Sequence, residues 1–219
     1  MDRPHMTQAD VETLQDAGFL RMYDLHYAEG KHYFSASRRA AAELVAIKKN
    51  TEFQSMLPDA VTIAVVLLLP GEEPKLLLKY EYRYPVGQFL LSPIAGLLDP
   101  EDREEADPLR SGAVREIFEE TGIRVKDSDT VTVLNPCAFS TPGMTDESNA
   151  FLCAEITLTD TEMISQKNAV GTELFNGCEL VGPEAAEQLY RTGRDRFGNT
   201  FSLATWAVLG WFVMRYKNA

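Results

Sequence analysis

Residues 115–123 read REIFEETGI, a run in which Glu116, Glu119 and Glu120 stand at positions i, i+3 and i+4. On a helix, at about 100° per residue, Glu116 and Glu120 lie about 40° apart and Glu119 about 60° to the other side, so all three carboxylates share one face. Val114, Ile117, Phe118 and Thr121 then fall on the opposite face, where they can pack on a sheet. Asp107-Pro108 starts this helix, the acid as N-cap and the proline at the first helical position, and Gly122 ends it. Three anions on adjacent turns repel one another, and their place in the C-terminal half adds the unfavourable macrodipole. Some cation must compensate. Arg115, four residues before Glu119, neutralises one carboxylate and leaves roughly two charges for a hard, oxygen-preferring ion, Mg²⁺ or Mn²⁺. A solvated acidic face would explain the helix alone, so its surroundings have to decide.

Upstream, AVTIAVVLLL (60–69) is a continuous β-branched and aliphatic run of strand length, and Pro70 to Pro74 turns it into KLLLKYEYRY (75–84). The acidic stretch DPEDREEAD (99–107) reads as a loop. Downstream, strands are expected at 131–139, 149–158 and near 173–181, and a helix at 183–192. FSLATWAVLGWFVM (201–214) is shorter than the roughly 20 residues of a bilayer span and reads as a buried C-terminal helix. On the N-terminal side, Thr7 in TQAD is expected to cap a short helix ending before Gly18. FLRMYDLHY (19–27) and KHYFSASR (31–38), joined by Ala28-Glu29-Gly30, form a hairpin pattern. In AAAELVAIKK (40–49) the alanines favour helix while the position after a hairpin also suits a strand; helix is the expectation.

Composition bounds the function. With 21 basic against 33 acidic side chains the formal charge is −12, which gives no basic surplus for a phosphate backbone or an anionic membrane. An anionic substrate would need a metal. Cys137, Cys153 and Cys178 are widely spaced, odd in number and without a CxxC pair, so neither a zinc framework nor a disulfide scaffold is suggested, and a cytoplasmic location fits. The N-terminal MDRPHMTQADVETLQDAG is charged throughout and lacks the apolar core of a signal peptide.

REIFEETGI resembles the second half of the Nudix box, which reads G-x5-E-x7-R-E-U-x-E-E-x-G-U with U aliphatic; seven defined positions match within nine residues. The first half departs. Counting back from Arg115 puts Asp107 where the family has Glu, and Gly96 eleven residues before it, so about five extra residues are expected between Gly96 and Asp107. KYEYRYPVGQFLLSPIAGLLD (79–99) and STPGMTDES (140–148) resemble flanking elements of ADP-ribose and nucleoside-diphosphate-sugar pyrophosphatases.

The resemblance implies an α/β protein, a Nudix α/β/α sandwich with a mixed sheet and an N-terminal β-hairpin extension. Residues 1–58 would be that extension, a dimerisation arm, and 59–219 the hydrolase domain of a homodimer. It further implies metal-dependent hydrolysis of ADP-ribose or related ADP-sugars to AMP and a sugar phosphate. The alternatives are a UDP- or GDP-sugar pyrophosphatase of the same chemistry, or a non-catalytic ligand sensor. Carried onto this chain, the metal ligands would be Glu116, Glu120, Glu119 and the Ala95 carbonyl. Arg115 would hold the helix carboxylates. Glu119 is also a candidate catalytic group, and Glu173, preferred over Glu162, is a candidate acid–base residue in the loop after the box. Arg83 would clamp a phosphate or the adenine side, Glu147 would accept from adenine or ribose, and Pro142-Gly143 would shape the pocket wall. Tyr82, Tyr84 and Phe89 are expected to be core or dimer contacts, and His26 and His32 structural.

Overall fold

The computed structural model describes residues 6–167 and 174–217, which divide into two compact units. One comprises the described residues up to Asp59 together with Cys137–Asn149; the other comprises Ala60–Pro136 and the described residues from Ala150 onward.

The first unit is built on a three-stranded antiparallel sheet, β1 (Val11–Asp16), β2 (Arg21–Ala28) and β3 (Lys31–Ser37), in that order. The expected hairpin is therefore present. Gly30 supplies the left-handed residue of its turn, at φ 64°. Tyr23, Leu25 and Leu44 form its small core. The expected N-terminal helix is only a single 3₁₀ turn, Gln8–Asp10, because the residues after it pair with β2 and their ladder outweighs local helix preference. Residues 40–49 likewise form two 3₁₀ turns, Ala41–Glu43 and Val45–Ile47, in place of a helix. There the Val45 N–H donates to Asp146 and Val45 is buried, so tertiary contacts override the alanine propensity. A short helix, α1 (Asn50–Gln54), follows.

The second unit is a sheet with helices on both faces. β4 (Ala60–Leu68), β5 (Lys75–Arg83), β8 (Thr130–Phe139), β9 (Ser148–Thr157) and β10 (Phe175–Val181) run in the order β10-β5-β4-β9-β8. Val61, Ile63, Val65, Leu67 and Leu77 pack with Ala113 and Ile117 of α3 (Pro108–Thr121) on one face. Ala64, Val66, Leu76 and Leu78 pack with Val208, Leu209 and Phe212 of α5 (Leu203–Tyr216) on the other, beside α4 (Pro183–Thr192). Burial on both faces explains why β4 reads as an unbroken apolar run. The C-terminal stretch is thus a packed helix as expected, and no helix among the described residues is long and apolar enough to cross a membrane.

Two short strands absent from the sequence reading, β6 (Gln88–Ser92) and β7 (Ile94–Leu97), matter most for the site. β4 pairs with β5 only over Val65–Leu67 and with β7 over Ala60–Ile63, while the outer half of β5 pairs with β6. The two long strands therefore splay, and β7 fills the gap beneath α3. Residues 99–107 are not all loop: α2 (Pro100–Glu104) forms there, with Asp102 Oδ2 accepting from the Asp99 N–H at 3.0 Å.

Candidate functional site

Helix α3 runs between the expected ends. Asp107 accepts from the Arg110 N–H at 3.1 Å as N-cap, and Gly122 closes the helix at φ 73°, a left-handed position that favours glycine. Its buried face differs from expectation, however. Glu116 and Glu120 are buried with Ala113, Ile117 and Thr121, whereas Val114 and Phe118 are only half-buried. Two of the three carboxylates, Glu116 and Glu120, thus face the sheet instead of the solvent, and three neighbours explain how.

The first is Gly96 on β7. A Cβ there would run into the Glu116 carboxylate, so only glycine lets strand and carboxylate approach so closely. The second is Arg115, whose guanidinium ties the region together. It donates to the Leu97 carbonyl at 2.8 Å, to Asp102 through Nε at 3.1 Å and Nη2 at 2.7 Å, to Glu116 at 2.7 Å and to Glu119 at 3.0 Å. Burial opposes its charge, but Asp102 and Glu116 more than offset this and raise its pKa. Asp102 also accepts from the Ser111 hydroxyl and is held below the usual carboxylate range, its hydrogen bonds outweighing its burial.

Asp102, not Asp107, therefore meets the helix arginine, and this relocates the insertion. Against the box pattern that the sequence resembles, Gly96 to Asp102 has the G-x5-acid spacing, and twelve residues in place of seven separate Asp102 from Arg115, so the five extra residues of that pattern would fall after Asp102. They form the end of α2 and the turn into α3.

The third neighbour is Lys79 on β5, fully buried, which the sequence reading missed. Its ammonium pairs with Glu120, also fully buried, and with Glu81 at 3.0 Å, and lies 4.4 Å from the centre of the Phe175 ring. Burial pushes the Glu120 carboxyl up to about 8; Lys79 opposes this, while Glu116 and Glu81 add to it. Arg83 completes the row, its guanidinium 2.9 Å from the outer oxygen of Glu81. The alternation K-Y-E-Y-R at 79–83 could have shown that Lys79, Glu81 and Arg83 share one face of β5.

The structure thus brings together Arg115, Glu116, Glu119 and Glu120 on α3, with Ala95 on β7, the strand beneath, and Arg83 linked to Glu120 through Glu81 and Lys79. Three cations (Arg83, Lys79, Arg115) face six carboxylates (Glu81, Asp99, Asp102, Glu116, Glu119, Glu120). One Glu120 oxygen is buried without a hydrogen-bond partner among the described residues. An excess of buried carboxylate oxygen is a donor set that fits Mg²⁺ or Mn²⁺.

Glu147, Pro142 and Gly143 belong to the other unit. There Arg38 donates to Glu147 at 3.1 and 3.2 Å, the Tyr33 hydroxyl donates to the Gly143 carbonyl at 2.8 Å, and Pro142 lies in the turn between. Glu162 is exposed, and Glu173 lies outside the described residues. Tyr82 packs edge-on against both Tyr84 and Phe89, and Tyr84 is 65% exposed.

No family model matches the chain. It is 26% identical over 151 residues to an uncharacterized Nudix hydrolase of Schizosaccharomyces pombe, covering 68% of this chain and 69% of that protein. Among solved structures, a C. elegans Ap4A hydrolase binary complex aligns with a TM-score of 0.45 and 16% identity, over 71% of this chain and 96% of that one.

Proposed function

We propose that the chain is a Nudix hydrolase acting on phosphoric anhydrides, and that its substrate is ADP-ribose or a related ADP-sugar, split to AMP and a sugar phosphate. The carrying observation is the buried carboxylate face of α3, Glu116 against Gly96 and Glu120 against Lys79, with Arg115 bridging Glu116 and Glu119. The box spacing and the S. pombe relative support the same family.

Glu116, Glu120 and the Ala95 carbonyl would hold a divalent ion, with Glu119 ligating a further ion or orienting a ligand water. Mg²⁺ or Mn²⁺, when bound, would neutralise diphosphate oxygens and make water a better nucleophile at neutral pH. Arg115 fixes the rotamers of Glu116 and Glu119 and is itself fixed by Asp102 and the Leu97 carbonyl, so the face is held before substrate arrives. Arg83, half-exposed at the end of β5, offers a guanidinium to a phosphate, with Glu81 orienting it. Glu147, Pro142 and Gly143 belong to the other unit and are assigned to the nucleoside by the resemblance alone, and Glu173 would assist proton transfer. A homodimer in a reducing cytoplasm completes the reading, in keeping with three free cysteines.

The test is a panel of ADP-ribose, other ADP-sugars, UDP- and GDP-sugars, dinucleotides and nucleoside triphosphates at equal Mg²⁺, with products separated by chromatography. ADP-ribose should yield AMP and ribose 5-phosphate faster than any triphosphate is cleaved. Preference for a triphosphate would overturn the substrate class. A folded protein that cleaves nothing on the panel would instead favour a non-catalytic ligand sensor.

A further inference from the structure

The chain contains three histidines, and two of them, His26 and His32, stand directly opposite each other in the β2–β3 register. Asp24 is two residues before His26, so its side chain leaves β2 on the same face. Glu12 is the register partner of Asp24 on β1 and brings a fourth donor to that face. A single sheet surface thus gathers two imidazoles and two carboxylates from three strands. This is the face opposite Tyr23 and Leu25, away from the small core of the unit.

The donor atoms of Asp24, His26 and His32 are close enough together to share one ion. Donors about 2.0–2.1 Å from a tetrahedral Zn²⁺ stand about 3.3–3.4 Å from one another. His26 Nε2 is 3.5 Å from Asp24 Oδ2 and 3.6 Å from Glu12 Oε2. His32 Nδ1 is 2.7 Å from the same Asp24 oxygen, a separation that a small side-chain rotation opens to a tetrahedral edge. The donor atoms of Asp24, His26 and His32 all lie within 4.8 Å of one another.

Asp24 supplies a second, independent observation. It is 6% exposed although it lies on the face away from the core, and its Oδ1 is buried without a hydrogen-bond partner among the described residues. A carboxylate held this way has one oxygen shared by two imidazoles and another with nothing to satisfy it. A bound cation would relieve both conditions, since a buried anion needs a partner charge. The paired imidazoles choose the class of cation: they favour Zn²⁺ and its late first-row neighbours over Mg²⁺ or Ca²⁺.

We propose that Asp24, His26 and His32 form a Zn²⁺ site that joins β2 to β3, with Glu12 of β1 beside His26 and water completing the shell, separate from the carboxylate face of α3. Both imidazole side chains are nearly half exposed, at 42% and 47%, so an ion can reach them and they can be replaced without opening the core. This inference does not depend on the proposed hydrolase activity.

The full chain, stripped with EDTA and exchanged into chelator-free buffer, is titrated with ZnCl₂ by calorimetry in four forms: wild type, His26→Ala/His32→Ala, His32→Gln and Glu120→Gln. Wild type and Glu120→Gln should each bind one high-affinity Zn²⁺, which raises the melting temperature. The double variant should bind it at least on the order of tenfold more weakly, and His32→Gln should weaken it too. Co²⁺ in place of Zn²⁺ should give the intense visible absorption of a four-coordinate ion in wild type and Glu120→Gln, and lose it in the double variant. Circular dichroism without metal confirms that each variant is folded. Equal Zn²⁺ affinity in wild type and the folded double variant would overturn the proposal, as would loss of all Zn²⁺ binding in Glu120→Gln alone.

Discussion

At the scale of single residues, Glu120 is an acid sealed in the core of the second unit against the ammonium of Lys79, with Glu81 and Glu116 close enough to act on its charge. Its pKa in the fold lies near 8, against 4.5 for an ordinary glutamate. A raised acid pKa means that the folded state holds its proton more tightly than the unfolded chain does. The associated stability is therefore complete below about pH 4.5 and is lost as pH rises through about 8. In metal-free buffer the melting temperature should fall over this range, and Glu120→Gln should remove that part of the fall, so the variant gains on wild type as pH rises. Added Mg²⁺ should stabilise the wild type and leave the variant little changed. Turnover in Glu120→Gln should drop on the order of 100-fold or more. A variant with wild-type turnover, or one that Mg²⁺ stabilises as much as wild type, would remove Glu120 from the metal set.

Lys79 makes the complementary case. Replacing it with methionine leaves Glu81 and Glu120 buried without their shared cation, which should cost about 3 kcal/mol in metal-free buffer. Mn²⁺ should restore more stability to Lys79→Met than it adds to wild type, because the ion then supplies charge that the lysine no longer does. An identical Mn²⁺-induced shift in both proteins would show that the ammonium and the ion do not share these carboxylates.

At the scale of elements, α3 was legible because its signals are local: an N-cap acid, a proline at the first turn, a closing glycine, and carboxylates whose spacing fixes one face. What spacing alone does not reveal is which way that face turns. Lys79 makes burial of Glu120 possible, and it comes from a strand some forty residues upstream, so the helix sequence alone gave Ile117 and Thr121 as buried but not Glu116 and Glu120. The β6–β7 pair escaped for a related reason: each strand is only four or five residues long, with Pro93 between them, and its pattern makes sense only against the splayed edges of β4 and β5. The acid that meets Arg115 escaped because counting back from Arg115 assumed a constant gap and reached Asp107, whereas Asp102 lies in α2. Two substitutions separate the acids. Asp107→Ala removes a cap and should cost about 1 kcal/mol with turnover preserved. Asp102→Ala removes the partner of a buried arginine, and should cost about 3 kcal/mol and lower turnover as Glu116 and Glu119 lose their fixed geometry. Equal effects on turnover would mean that Asp102 is not the acid that matters.

At the scale of the whole molecule, the first unit exposes more apolar surface than its small core accounts for. Phe19 is 65% and Phe34 60% exposed, and Leu20 and Met22 are nearly half exposed, all on or beside β2 and β3. Large side chains left in water on one sheet are the surface expected of an association face, and a three-stranded sheet with three core residues gains much by covering them. The proposed homodimer places this unit at the subunit boundary. Sedimentation equilibrium at micromolar concentration should therefore give about twice the 24.5 kDa chain mass. Phe34→Glu, at an exposed position outside the core, should shift the protein toward monomer without unfolding it. Deleting residues 1–38 should cost both association and turnover. A wild-type monomer with full activity would dissociate the N-terminal sheet from both assembly and catalysis, and would leave its exposed aromatic residues to another partner.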